Sequence, residues 1–380
     1  MDSTIKSQGH DTHAIPPQAV CNAYKKYQKM EDEAVDQDLD VLDFARGLAE
    51  AQTKKLVAID TVSSELVDSA WKAFKSDGER IVVADEEESA SLPEHCTIYE
   101  HKDFPGLRLL PSLLPPEVQV LLVSSLLHRD LANPQHKTNI HHDYTIPYAP
   151  PITSSSPQRE SFFILPPHAK DQMLTPLNPL SNHKPLNMTQ FLVKKLRWLT
   201  LGSQYDWTTR SYDKDKAMPF PANIARLVKG LFKSAFEPES GVVLIYGSKD
   251  YMPVHRDVSE ECERGLASFS LGCDGLFILS REKDRQNGEE RNGVEKELDE
   301  DREMELLVLR VRSGDCVWMG GEARWCWHAM PKVMAGTCPE WLEEWPVEKN
   351  GDGKGRKEYE RWKGFMKGKR VNISCRQVWG

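Results

Sequence analysis

The final residues, Arg370-Val-Asn-Ile-Ser-Cys-Arg376-Gln-Val-Trp-Gly380, put two guanidinium groups where chemistry could use them. Extended as a strand, they set Arg370, Asn372, Ser374 and Arg376 on one face and Val371, Ile373 and Cys375 on the other, because side chains alternate with period two. Guanidinium forks capture carboxylates bidentately, so the polar face can hold a small diacid. Upstream, His255-Arg-Asp257 offers two ligands at i and i+2 that point the same way, while Arg256 points elsewhere. His328 can join them from a distant strand, delivered by Trp-Cys-Trp-His328. Two histidines and a carboxylate form the facial triad that holds non-haem iron(II) and leaves open metal positions. The expected chemistry is iron-dependent oxidation with an acidic co-substrate.

Each piece alone has a plainer reading. An isolated His-x-Asp is common, and two arginines on a terminal strand ordinarily make a solvated edge that discourages aggregation. Their joint occurrence, in this order along one chain, is much harder to explain structurally.

Further motifs belong to the same set: His255-Arg-Asp257-Val-Ser-Glu, Leu-Gly-Cys-Asp-Gly-Leu-Phe-Ile at 271–278, Arg312-Ser-Gly-Asp315, His328-Ala-Met-Pro, and Leu201-Gly-Ser-Gln-Tyr205-Asp-Trp207-Thr-Thr. With the arginine strand, and over residues 100–380, they resemble the AlkB-type iron(II)/2-oxoglutarate dioxygenases, in particular the homologue-1 branch in its fungal form. The resemblance implies a double-stranded β-helix (jelly roll), with iron(II) held by His255, Asp257 and His328, and with 2-oxoglutarate and O2 as co-substrates. It implies that Arg370 pairs with the distal carboxylate of 2-oxoglutarate, and that Arg376 lies near the other end and orients Asp257. Tyr246 and Asn372 match further co-substrate residues. Tyr205, Trp207 and Tyr212 fall in a segment that resembles the family's nucleotide-recognition lid, and are candidates to hold a base. The implied reaction is oxidative removal of N-methyl groups from nucleobases in RNA, tRNA in particular, or in DNA. Such enzymes act on single strands or on a flipped base held against aromatic faces.

One position departs from the family pattern. An asparagine that usually helps hold 2-oxoglutarate is replaced by Leu244. A lost hydrogen bond to a charged group costs roughly 1.5–3 kcal/mol, which predicts weaker co-substrate binding. Two other readings therefore stand beside the first. A protein demethylase or hydroxylase of the histone type would use the same iron and 2-oxoglutarate residues. A catalytically impaired nucleic-acid-binding homologue would rest on Leu244 alone.

The elements that must position these residues can be read coarsely. Of 380 residues, 39% are hydrophobic, enough for one large domain with an extension. No apolar run of membrane-spanning length occurs. The N-terminus shows no signal or transit pattern, so a cytoplasmic or nuclear monomer is expected. Eight cysteines without a Cys-x-x-Cys pair read as reduced thiols. Residues 1–99 hold 10 basic against 20 acidic residues, and 281–305 hold 6 against 11, so the remainder is mildly basic.

Residues 1–20 read as a disordered tail. Residues 21–95 read as a helical extension: Ala23, Tyr24, Tyr27 and Met30, then Val41, Leu42, Ala45 and Leu48, have the spacing of two amphipathic helices. Residues 96–240 would form the recognition lid and its supporting helices, and 241–380 the jelly-roll core with a charged insertion at 281–305. Apolar runs at 241–246, 266–271, 275–279, 305–312, 315–319 and 371–378 predict strands, making the fold α+β with a mainly β core. Trp318, Trp325 and Trp327, flanking His328, are expected to pack the barrel. Cys326 is not expected to bind the metal.

Overall fold

The computed structural model describes residues 13–75, 95–153, 156–232, 236–283, 303–347 and 356–379. The expectations for residues 1–12, for the Asp85-Glu-Glu-Glu88 linker and for 284–302 of the charged insertion lie outside the described residues.

In chain order the main elements are α1 (Gln18–Lys29), β1 (Val41–Leu42), β2 (Leu56–Ser63), α2 (Ser64–Lys75), β3 (His95–His101), β4 (Phe104–Leu110), α3 (Pro116–Ser124), β5 (Trp198–Gly202), β6 (Tyr205–Asp206) and β7 (Ser211–Tyr212). Then follow α4 (Ala222–Leu231), β8 (Ser240–Gly247), β9 (Met252–His255), β10 (Leu266–Gly272), β11 (Gly275–Glu282), β12 (Met304–Val311), β13 (Cys316–Met319), β14 (Trp327–Val333) and β15 (Lys369–Arg376). An eight-stranded sheet runs in the order β2-β3-β4-β13-β10-β15-β8-β5 and faces a five-stranded sheet in the order β1-β12-β11-β14-β9. From β8 onward the chain moves back and forth between the two sheets, which is the jelly roll.

All six apolar runs read as strands coincide with strands, to within the end-fraying normal for such boundaries. β15 is the clearest. Val371, Ile373 and Cys375 are fully buried in the hydrophobic core, while the polar residues between them line the space enclosed by the sheets. The alternation fixes register, because a slip of one residue would bury both arginines in the wall.

α4 carries its apolar stripe at Ile224, Leu227, Val228 and Leu231, all buried. It packs so closely on α2 that a Cβ at Gly230 would lie 2.8 Å from the Cβ of Ala70. The two helices brace the outer face of the larger sheet, with Phe232 reaching Phe269 and Trp318.

The extension at 21–95 is not purely helical. Val41 and Leu42 do not continue a helix; they form β1, parallel to β12, with Val41 opposite Val308. Residues 56–63 form β2 at the edge of the larger sheet, paired with β3. Tertiary contacts override the helical spacing here. Buried Asp43 accepts from Arg312 at 2.6 and 3.0 Å, and Arg312 and Arg310 both reach Asp274. Two β-branched or apolar residues next to that ionic cluster gain more from pairing with β12 than from a helical turn. α1 lies on the outer face of the smaller sheet, where Tyr27, Val35 and Val41 pack with Leu276, Ile278, Val308, Ala329 and Met334. No helix among the described residues is long and apolar enough to cross a membrane.

Candidate active site

β9 and β14 are antiparallel neighbours, and their register puts His255 opposite His328. The two imidazole centroids are 4.3 Å apart. Asp257, just past the end of β9, brings Oδ2 to 3.8 Å from Nε2 of His328. One ligand atom from each of His255, Asp257 and His328 lies within 4.8 Å of the others.

The tautomers suit a metal. Nδ1 of His255 is 2.8 Å from the Pro253 carbonyl, and Nδ1 of His328 is 3.1 Å from the Cys326 carbonyl. A carbonyl can only accept, so each Nδ1 carries the proton and each Nε2 presents its lone pair. Burial, and then the charge of His255, push the His328 imidazole down to about 4. It is neutral near pH 7, the form a metal requires. Cys326 contributes its carbonyl; its thiol turns away to the Glu322 carbonyl, as expected for a residue outside the ligand set.

Behind Asp257 is a buried charged cluster. Arg376 Nη2 lies 3.3 Å from Asp257 Oδ2, and its Nη1 donates to Glu260 Oε1 at 2.8 Å. Arg324, 1% exposed, donates to the Asp257 carbonyl at 2.6 Å and to Glu260 Oε2 at 2.7 Å. Burial works against the Asp257 carboxylate, but Arg376, then His328 and His255, outweigh it and hold the group well below the usual carboxylate range. The aspartate is thus ionised and fixed before any metal arrives. Glu260 stands in the His255-Arg-Asp257-Val-Ser-Glu motif, yet its joining role is visible only in three dimensions. Arg324 had no sequence signal at all.

Arg370 lies deeper in the same cavity. It is 1% exposed, and its Nη2 donates to Ser270 Oγ at 3.0 Å. Among the described residues its buried Nε and Nη1 have no hydrogen-bond partner. A buried guanidinium left in this state is costly, and an anion is the group that would relieve it. Gly275 makes the space: a Cβ there would come within 2.9 Å of Arg370 Nε and 2.7 Å of Met330 Sδ. Tyr246, across the ladder from Arg370, lines the cavity, and burial raises its phenol well above the usual value, so it remains a donor. Asn372 is placed differently from Arg370. Its amide nitrogen already donates to Ser268 Oγ and to the Phe269 carbonyl, both at 2.9 Å.

Leu244 faces the cavity on β8 together with Val242 and Tyr246, directly across the ladder from Asn372. A side-chain amide at this position would face the cavity. Leu244→Asn is expected to tighten 2-oxoglutarate binding by up to about tenfold, about 1.4 kcal/mol for a recovered hydrogen bond. Titration of 2-oxoglutarate into the manganese-substituted protein measures this; equal or weaker affinity in the variant would mean that the leucine is not what limits binding.

The cavity encloses about 580 Å³. At its mouth, β6 and β7 pair Tyr205 with Tyr212. Tyr205 meets Trp207 edge-on at 4.9 Å and Tyr212 at 5.3 Å. Tyr205 is within 3.4 Å of Ser259, and Tyr212 donates to Glu260 at 3.4 Å, so the hairpin is tied to the segment that follows Asp257. Trp207 is 40% exposed, a large apolar face open to solvent. Trp318 packs the core against Phe236 and Phe232, as expected. Trp327 differs: it lines the cavity, with Arg256 stacked 4.3 Å over its ring. Its ring is partly exposed, whereas that of Trp318 is buried. Residues 13–16 also border the mouth.

Residues 167–376 match the model of the 2OG-Fe(II) oxygenase superfamily. Over 288 residues the chain is 43% identical to the N6-methyladenosine RNA demethylase ALKB1 of Pyricularia oryzae, covering 74% of this chain and 76% of that protein. It is 43% identical over 243 residues to the N6-methyladenosine RNA demethylase ALKBH of Cryphonectria parasitica, covering 63% of this chain and 99% of that protein. A third relative, the tRNA demethylase abh1 of Schizosaccharomyces pombe, is 29% identical over 288 residues, covering 74% of this chain and 82% of the relative. The donor set at the cavity, two imidazoles and a carboxylate beside a buried unpartnered guanidinium, fits the iron(II) and 2-oxoglutarate of that superfamily. By its motifs, its jelly roll and these matches, the chain belongs to the 2OG-Fe(II) oxygenase superfamily.

Proposed function

We propose that the chain is an oxidative demethylase of N-methylated nucleobases in RNA, with His255, Asp257 and His328 as iron ligands. The observation that carries the substrate class is the aromatic hairpin at the cavity mouth: Tyr205 meets Trp207 at 4.9 Å and Tyr212 at 5.3 Å, and all three line the cavity that holds the triad. Base–aromatic stacking contributes about 1–3 kcal/mol per base whatever the base identity. The 43% identity to two fungal proteins named as N6-methyladenosine RNA demethylases favours RNA and that methyl group.

Iron(II), when bound, supplies the oxidation of a C–H bond by O2, coupled to conversion of 2-oxoglutarate to succinate. The chain's own residues do the positioning. Arg370 and Tyr246 take the distal carboxylate of 2-oxoglutarate; Asn372, anchored to β10, shapes the wall beside it. Arg376, with Glu260 and Arg324 behind it, holds Asp257 ionised and fixes which oxygen it presents. The hairpin aromatics and Trp327 hold the extruded base and exclude water from the methyl group. Once hydroxylated, an N-methyl group releases formaldehyde without further help from the protein.

The test is a side-by-side turnover assay on N6-methyladenosine RNA, methylated tRNA, N6-methyladenine DNA and methylated histone tails, scored by formaldehyde and demethylated product. The RNA substrates are expected to be preferred, and Trp207→Ala to raise KM for them by roughly tenfold or more, in line with one lost stacking contact. Preferential turnover of the histone tails, with Trp207→Ala unchanged, would overturn this reading.

A further inference from the structure

A second concavity, of about 660 Å³, lies behind the wall of the first. Gly247 and Lys369 line it, while the adjoining Tyr246 and Arg370 line the oxidation cavity, so β8 and β15 form the partition. Six cations surround it: Lys194, Arg197, Lys249, Arg361, Lys363 and Lys369. They come from three separate stretches of sequence, and the fold gathers them in a chain whose net charge is −9.

The acid among the lining residues, Asp250, does not neutralise the group. It is engaged by Arg197 Nε at 3.0 Å and by the Gly247 N–H at 2.6 Å. Lys363 reaches Glu344, which is not among the lining residues, at 3.3 Å. Lys369 is 5% exposed, and its ammonium donates to the Val193 carbonyl at 2.8 Å. Burial, and then the charge of Arg197, bring its pKa down to about 8. A buried ammonium held next to a guanidinium is a place where an added anion gains from both.

The groove is also linked along the chain to the mouth of the oxidation cavity. Arg197 immediately precedes Trp198, whose ring lies 5.2 Å from that of Trp207. β5 thus leads from the aromatic hairpin to the cations.

We propose that this groove binds the phosphate backbone of the nucleic-acid substrate, several nucleotides away from the base that enters the cavity. The proposal rests on the nucleic-acid reading above, and it adds a site that makes affinity depend on strand length. Several cations along an open groove suit successive phosphates better than one small phosphate.

The experiment measures binding of fluorescein-labelled single-stranded RNAs of increasing length, by anisotropy across a salt series. It compares wild type with Lys194→Glu/Lys249→Glu/Arg361→Glu, three exposed positions of the groove. A control triple, Lys25→Glu/Lys29→Glu/Lys72→Glu, makes the same charge change on exposed positions of α1 and α2. Wild type is expected to bind longer RNAs more tightly. The groove variant is expected to lose that gain, with a salt slope shallower by about two, since each single-strand phosphate contact contributes about 0.7. The control triple is expected to keep both. An unchanged slope and length dependence in the groove variant, equal loss in the control, or no RNA binding by wild type would overturn the proposal. If the groove variant alone loses RNA binding but wild type demethylates no RNA, the groove stands and the demethylase reading falls.

Discussion

Arg370→Met is expected to cost the protein its co-substrate while making the apo-protein harder to unfold. The two effects come from one fact: the guanidinium is buried, with Nε and Nη1 unpartnered. Removing one partner of a buried charged pair costs about 3–5 kcal/mol, so the apparent Kd for 2-oxoglutarate should rise about 10²–10³-fold or more. Arg370→Lys keeps the charge but not the fork and should fall between. In the apo-protein the same change removes an uncompensated buried cation and fills its place with an apolar side chain, worth about 1 kcal/mol or more of stability. Isothermal titration and thermal unfolding of the apo-protein measure the two sides. An unchanged 2-oxoglutarate affinity would refute the role given to Arg370. A large fall in the apo melting temperature would show that its hydrogen bond to Ser270 matters more than the unpartnered donors.

His255→Ala is expected to abolish iron-dependent succinate formation and to leave the far-ultraviolet circular dichroism unchanged. His255 is partly exposed, and among the described residues its ring makes one hydrogen bond, to a carbonyl two residues away. Its loss therefore removes a ligand with little packing. Asp257→Ala should abolish turnover too, with more effect on folding, because among the described residues it leaves Arg376 with Glu260 as its one ion-pair partner. His183→Ala, at an exposed histidine that lines neither concavity, is the control and should not change the rate. Wild-type turnover in His255→Ala would remove the metal site from this cavity.

Much of this was legible because strands advertise themselves. The alternation in 370–376 was enough to predict that Arg370, Asn372, Ser374 and Arg376 share a face, and they do. The triad was legible for the same reason, since His255 and Asp257 are two apart and His328 follows a strand-like run. Cross-strand identity was not legible: that His328 stands opposite His255 depends on β9 and β14 being neighbours, and β9 is too short to show a pattern. The N-terminal extension misled because Val41 and Leu42 have helical spacing relative to later residues, while an ion cluster formed with Arg310 and Arg312 decides their conformation. Arg324 and Trp327 were out of reach for a related reason. Nothing local separates a buried arginine that spans Glu260 and the Asp257 backbone from a surface one, and a tryptophan at a barrel rim reads like a tryptophan in the core.

The most direct test is the product balance. Purified protein, loaded with iron(II) without oxygen, is given 2-oxoglutarate and N6-methyladenosine RNA and then exposed to O2. The expected result is succinate, formaldehyde and demethylated adenosine formed in equal amounts, with Arg370→Met and His255→Ala forming none. Binding of the RNA with no succinate at all, even for the Leu244→Asn protein, would contradict it and leave a nucleic-acid-binding protein that keeps the jelly roll without its chemistry.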